Sequence, residues 1–457
     1  MVFCSIIEIV LEMSKETTKC ANKKLKVTDK FSQKTAIAIV VANMIGTGVF
    51  TSLGFQLESF DSTFVLMMLW LVGGFVALFG ALGYAELSSR FPRSGGEYNF
   101  LSETYHPVFG FVSGWVSATV GFAAPVALAA ITFESYLTVS LGDFPDKILA
   151  TSLIFSLAYF HATSRTASES IQLIFTLLKV FLILGFSGFV FAFVSEPQPV
   201  SLFPDREDFS LVFTGAFAIS LIYVNYAFTG WNAATYILGE IEEARDKVSH
   251  VLFFGTLIVL VLYLLLNYVF LYAAPKSALR GELEIGVIVA AYAFGDTGRL
   301  VVGVFLAALL ISTISAMTIA GPRVFQVLGE DYSMLKWFAK KNQFGLPSNA
   351  IFFQALVSIA FVLTSSFQTI LMLSGFIVGL NSFFAVAGIF ILRRRNSDHN
   401  FYKMWGYPLT PAIYLLLMGW SLFYVTILRP EEALFGFALV FLGFLVYLLL
   451  NSKDPET

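Results

Sequence analysis

Hydrophobic residues run in long unbroken blocks along this chain, and the polar residues collect in short gaps between them. Blocks long enough to cross about 30 Å of hydrocarbon centre on residues 33–57, 63–90, 108–140, 147–163, 168–195, 210–240, 249–274, 299–327, 349–366, 368–392, 408–428 and 431–450. The pattern predicts twelve membrane-spanning helices and no strands. Two blocks are interrupted. The first carries Asn43-Met44-Ile45-Gly46-Thr47-Gly48-Val49-Phe50, with glycines on both sides of a threonine. The sixth carries Phe228-Thr229-Gly230, with Gly239 further on. Glycine costs about 1 kcal/mol against alanine inside a helix, so each site favours an unwound turn at mid-bilayer depth. Close helix packing is the other common use of membrane glycines. Their matched places, each heading a group of five spans, favour interruption, the pattern of an inverted-repeat transporter with a midplane site.

Composition supports the membrane assignment: 57% of residues are hydrophobic and 13% charged, outside the range of soluble domains. No Pro/Ser/Gly-rich linker or change of composition divides the chain. The expected organisation is a tail at 1–32, one transporter domain at 33–450 and a short tail at 451–457. Residues 275–298 include an apolar stretch, 284–294, expected to form a short helix over a vestibule, and loop 328–348 is expected to be partly helical. Placing the amino terminus inside puts 21 lysines and arginines on the cytoplasmic side and 6 on the other, so both termini are expected in the cytoplasm. The net charge of −3 offers no basic surface for nucleic acid. Cys4 and Cys20 both fall in the tail, where a reducing compartment disfavours a disulfide. Residues 1–12 carry Glu8 and Glu12 without a leading positive charge, unlike a secretory signal.

A break at Ile45-Gly46-Thr47-Gly48 would end one half-helix and start another. The starting half presents amides and a partial positive charge to a carboxylate, and the ending half presents carbonyls to an ammonium group. With a second carbonyl-rich end from the sixth block, the pair describes a zwitterion, an α-amino acid. Lys179, the one strongly basic residue at the middle of a span, costs at least about 2.5–3.5 kcal/mol to insert and so faces a cavity or a partner. It could serve in proton coupling, or it could pin segments together at the carbonyls near Gly46. Ser312, Thr313 and Ser315 could ligate sodium, although such hydroxyls more often bond to their own helix. Glu134 is expected to snorkel to water. Glu86 and Glu240 are expected to pair with Arg90, Arg93 or Arg245 at the surface. Tyr223, Tyr226, Phe228, Trp231 and Tyr236 surround the sixth-block break, and Tyr226 is placed to close over a ligand. No metal spacing, nucleophile elbow or phosphate loop appears in the spans, so neither an enzyme nor a cofactor is expected.

Four stretches carry a family resemblance: residues 43–50; Tyr84-Ala85-Glu86-Leu87-Ser88-Ser89-Arg90-Phe91-Pro92-Arg93-Ser94-Gly95-Gly96-Glu97-Tyr98 continuing to Gly110-Phe111-Val112-Ser113-Gly114-Trp115; Tyr226-Ala227-Phe228-Thr229-Gly230-Trp231-Asn232; and Arg393-Arg394-Arg395 followed by Trp405-Gly406-Tyr407-Pro408-Leu409-Thr410-Pro411. The chain resembles the amino acid–polyamine–organocation transporters, within them the L-type branch. The resemblance implies an all-α membrane protein of twelve transmembrane helices. Two inverted five-helix repeats of leucine-transporter type (33–195 and 210–392) are followed by two further helices (408–450). It implies a carboxylate site at Thr47 and Gly48, with Ile45 and Gly46 in the same turn. An ammonium site would lie at the carbonyls of Met44, Tyr226 and Thr229. Tyr226 would be the gate, with Ala227, Gly230, Trp231 and Asn232 shaping the pocket and Lys179 standing where relatives bind sodium. The implied function is sodium-independent exchange of neutral L-amino acids across the plasma membrane, the alternatives being proton symport or a non-transporting amino acid receptor. Membrane lipid is the implied surrounding, and a monomer or weak homo-oligomer the implied state. Ala42 and Glu243-Ala244-Arg245-Asp246 depart from the family pattern. The loop between the third and fourth spans has no cysteine, so no disulfide-linked heavy subunit is expected.

Overall fold

The computed structural model describes residues 33–451 apart from 92, 94, 143, 164–167, 233–234, 236–243 and 396–400. Among the described residues every regular element is helical. The chain begins with α1 (Gln33–Met44) and α2 (Gly48–Leu57), two pieces separated at Ile45-Gly46-Thr47. Then come α3 (Thr63–Arg90), the short α4 (Glu97–Thr104), and α5 (Pro107–Val116), which runs through a wide π turn at Ser117–Gly121 into α6 (Ala123–Leu141). α7 (Ile148–Thr163), α8 (Ser168–Phe193) and α9 (Gly215–Ala227) lead to the second interruption. Beyond it lie α10 (Ala244–Ala273), α11 (Ile285–Asp331), α12 (Ser348–Thr364), α13 (Phe367–Arg395), α14 (Leu409–Leu428) and α15 (Pro430–Asn451).

Local chemistry sets the starts of these helices. The Ser62 hydroxyl accepts from Val65 N (3.3 Å) ahead of α3, and Thr214 does the same for Phe217 N (3.3 Å) ahead of α9, the capping role such side chains fill best. His106 Nδ1 accepts from Val108 N, with Pro107 at the first position of α5, where the missing N–H is no loss. α11 contains one non-helical residue, Gly295 at φ +68°. The piece before it, Ile285 to Phe294, is a short helix, as expected for that stretch. Loop 332–347 has single turns at Ser333–Leu335 and Lys336–Ala339, the partial helicity expected there.

Eight helical stretches among the described residues are long and apolar enough to cross a membrane: Ala36–Leu57, Thr63–Arg90, Pro107–Leu141, Lys247–Ala273, Ile285–Asp331, Phe367–Arg395, Leu409–Leu428 and Pro430–Leu450. Four shorter apolar helices accompany them: Ile148–Thr163, Leu178–Phe193, Gly215–Ala227 and Ser348–Thr364. Burial grades from centre to edge, from 78% of the apolar window in Ala36–Leu57 to 28% in Pro430–Leu450. The broken first segment is therefore the core, and α15 is rim. α10 lies along α1 and α3, and α6 lies along α11. Large apolar side chains such as Leu416, Leu434 and Phe441 face outward, which suits a hydrocarbon surrounding and no aqueous one.

Candidate functional site

The first break is a short turn. Ile45 N still reaches Val41 O (3.0 Å), but Gly46 N folds back to Met44 O (2.8 Å), and α2 restarts with Phe50 N and Thr51 Oγ1 on the Thr47 carbonyl (2.9 and 3.1 Å). Thr47 Oγ1 makes no capping bond of its own. In the second break α9 ends at Ala227, and Thr229 turns back so that its amide and hydroxyl both bond Tyr226 O (2.9 and 2.6 Å).

These two turns lie against each other. A Cβ on Gly48 would sit 2.6 Å from Ala227 Cα, and a Cβ on Gly230 would sit 2.6 Å from Asn43 O. Gly230 also has φ +110°, a conformation that side-chain-bearing residues rarely adopt. Gly46 is different, because its nearest neighbour is Thr313 Cγ2 at 3.7 Å. The residues expected to bind an amino acid, Met44 to Gly48 and Tyr226 to Asn232, are thus brought together from two distant parts of the chain.

A further residue joins them. Tyr263 on α10, fully buried, places its hydroxyl 2.6 Å from Met44 O and 3.0 Å from Ala227 O. One phenolic proton is shared between the carbonyl ends of both broken helices. The ring packs edge-on against Trp70 (5.6 Å) and tilted against Phe228 (4.9 Å). Met44 O and Tyr226 O, expected to receive a substrate ammonium, each already accept two bonds. An incoming ammonium would compete with Tyr263 at the first and with Thr229 at the second.

Lys179 on α8 is buried, and its Nζ donates to Thr313 Oγ1 on α11 (2.9 Å). Thr313, expected to bond its own helix, is held by the lysine instead, while Ser315 pairs with His161 Nε2 on α7 (2.8 Å). Lys179, Thr313, Ile45, Gly46, Phe50 and Tyr136 line a cavity of about 10 Å³, at the lower limit for a single water. The Tyr136 hydroxyl is buried there without a hydrogen-bond partner among the described residues. The cavity is far smaller than an amino acid.

Among the described residues, contacts flank the crossing on both sides. On the face bearing residues 57–63 and 273–285, the Phe55 ring lies between Tyr223 and Phe367 (5.9 Å to each), and Gln368 Nε2 donates to the Tyr223 hydroxyl (3.0 Å). Gly281 N bonds Gly54 O (2.9 Å), and Arg280 and Lys276 both hold Asp61, so this connection is fastened to α2. The other, basic face carries Arg90, Arg93 and Arg393 to Arg395. There Trp231 stands edge-on to Tyr84 (4.4 Å) and Asn232 Nδ2 donates to Glu97 (2.9 Å).

Glu86 and Glu134 depart from their expected surface roles. Glu86 is fully buried and accepts from Arg90 (2.9 Å), from Arg393 Nε and Nη2 (3.0 and 2.6 Å) and from Met404 N (2.8 Å). Arg93 pairs with Asp331 (2.9 Å). Glu134 does not simply snorkel: its two oxygens accept from Lys147 N (2.6 Å) and Ala150 N (2.8 Å), which caps α7 from a neighbouring helix. Tyr236, Gly239 and Glu240 lie outside the described residues.

A helix interrupted at Ile45-Gly46-Thr47 and the turn that ends α9, packed against each other inside a sheath of apolar helices, define a multi-pass membrane protein with a polar site in its middle. The chain belongs to the amino acid permease family, whose model matches residues 31–449. It is 26% identical over 448 residues to the large neutral amino acids transporter small subunit 2 of Homo sapiens, covering 91% of this chain and 79% of the relative. It is 25% identical over 402 residues to the b(0,+)-type amino acid transporter 1 of Mus musculus, covering 85% and 80%. The Asc-type amino acid transporter 1 of Mus musculus matches over 280 residues at 25% identity, covering 58% and 52%. The family and these relatives are amino acid transporters, not enzymes.

Proposed function

We propose that this chain is a sodium-independent transporter working by alternating access, which exchanges neutral L-amino acids across the plasma membrane with both termini in the cytoplasm. Twelve helices would form one domain at 33–450. Two inverted repeats, 33–195 and 210–392, would cross at their first helices, and the two helices of 408–450 would stand outside. The observation that carries this reading is the contact between the breaks, Gly48 on Ala227 and Gly230 on Asn43. It sets the amide-rich start of α2 beside the carbonyl ends of α1 and α9, two opposite partial charges close together.

In this reading the carboxylate binds at Thr47 and Gly48 and the ammonium replaces Tyr263 at Met44 O. Tyr226 closes the pocket, and Trp231 with the neighbouring turn bounds the side chain. Lys179 Nζ on Thr313 would place a basic group beside the first break, where a sodium ion would otherwise be useful. A buried lysine could also carry a proton, and this keeps proton symport as the second reading. With Cys4 and Cys20 as the chain's two cysteines and none between the third and fourth spans, we take the chain to act without a disulfide-linked heavy subunit.

Uptake into proteoliposomes containing the purified chain alone separates these readings. Exchange predicts that radiolabelled L-leucine or L-serine accumulates only in vesicles preloaded with unlabelled amino acid, with or without sodium. Uptake into empty vesicles driven by an inward proton gradient would replace exchange with symport. Saturable binding without trapped label would indicate a receptor.

A further inference from the structure

Glu97 lies outside both broken helices, at the first position of α4, yet it is 4% exposed. Its Oε1 accepts from Asn232 Nδ2 (2.9 Å) and from the Tyr84 hydroxyl of α3 (2.9 Å). Asn232 is two residues beyond Gly230, and the intervening Trp231 packs on the same Tyr84 ring. α4 is tied in turn to the end of α11, where Tyr98 OH donates to Asp331 Oδ2 (2.5 Å) and Arg93 forks onto the same carboxylate (2.9 and 3.1 Å). A single carboxylate therefore joins the second break, α3 and the basic-face connection.

An unwound turn has no helical ladder to fix it, so side-chain bonds set its conformation. A bond to an ionised acceptor is stronger than a neutral one. We propose that Glu97 is a positioning residue for amino acid binding. It holds the Asn232 amide, and through it the turn after Gly230, in the register at which the two breaks cross. Its release of Asn232 accompanies opening of the site toward the basic face. This rests on the amino acid transport reading above, and adds to it a residue that touches no substrate.

The test measures Kd for radiolabelled L-leucine and L-serine, with melting temperature, on the purified full chain carrying Glu97→Gln, Asn232→Asp or both. Asn232→Asp sets two carboxylates face to face and is expected to raise Kd at least about tenfold. Glu97→Gln keeps an acceptor oxygen but loses the charge, for an increase of about threefold. The double variant reverses the bond, because the amide introduced at position 97 donates to the carboxylate introduced at position 232. Its Kd is expected to return to within about threefold of Glu97→Gln alone. A double variant as weak as Asn232→Asp, or a Kd that only follows the melting temperature, would overturn the proposal. Should Asn232→Asp not yield folded protein, Glu97→Gln decides: a raised Kd at unchanged melting temperature supports the role, and an unchanged Kd overturns it. If the unmodified chain binds neither amino acid, the neutral amino acid reading falls and this inference with it. Binding without rescue removes this inference alone.

Discussion

A single methyl group separates the glycines of the crossing in their tolerance of change. Gly48→Ala would drive a Cβ to 2.6 Å from the Ala227 backbone, and Gly230→Ala would add an unfavourable φ to a clash with Asn43 O. Each should lower the melting temperature clearly, with an expected cost of about 1–3 kcal/mol or more for overpacking. Gly46→Ala, with 3.7 Å of clearance, should melt close to the unmodified chain; a thermal-denaturation series of the three variants checks the ranking. Tyr263→Phe removes the one proton shared by two buried carbonyls and should cost about 1–3 kcal/mol, read by the same melt together with a loss of uptake. Both breaks are legible in the sequence because glycine announces them locally. Tyr263 is not, because it is one of six aromatic residues in a 30-residue apolar helix, and no neighbour in sequence marks its hydroxyl as a bridge.

At the scale of elements, the fold is held at the basic face by a buried charge cluster rather than by surface pairs. Glu86 of α3 grips Arg393 of α13 and the amide of Met404, and Arg393 in turn lies over the Tyr407 ring at 3.9 Å. Glu86→Ala would leave Arg90 and Arg393 without this partner at a largely buried position, which should cost about 3–5 kcal/mol and appear as a large fall in melting temperature. A fall no larger than that of Arg93→Ala, which breaks a more exposed pair with Asp331, would show that the cluster does not hold the helices together. The spacing of Glu86 and Arg90 on one helix is readable in the sequence. The participation of Arg393, 307 residues away, is not, and so the pair reads as a surface feature. Glu134 escapes a sequence reading for a similar reason: the helix start it caps belongs to another element.

For the whole molecule, the hydrophobic pattern foretells an all-helical membrane chain and the place of its interruptions, because lipid forces every span to satisfy its own backbone. What it does not foretell is closure. The aromatic cover at Phe55, Tyr223 and Phe367 and the link from Asn232 to Glu97 lie on opposite sides of the crossing, and both are made in this structure. A cavity of about 10 Å³ remains beside Lys179. Under the alternating access proposed above, these two sets of contacts would open in turn, each made by a different set of helices. Whether an amino acid binds where the breaks cross is decided by initial uptake of radiolabelled L-leucine or L-serine into preloaded proteoliposomes carrying the unmodified chain, Thr47→Ala or Tyr226→Ala. Each substitution is expected to lower uptake at least about tenfold, as loss of a bond to a charged ligand group or of a closing ring would, at unchanged amounts of folded protein. Unchanged uptake in both variants would place the amino acid elsewhere in the molecule.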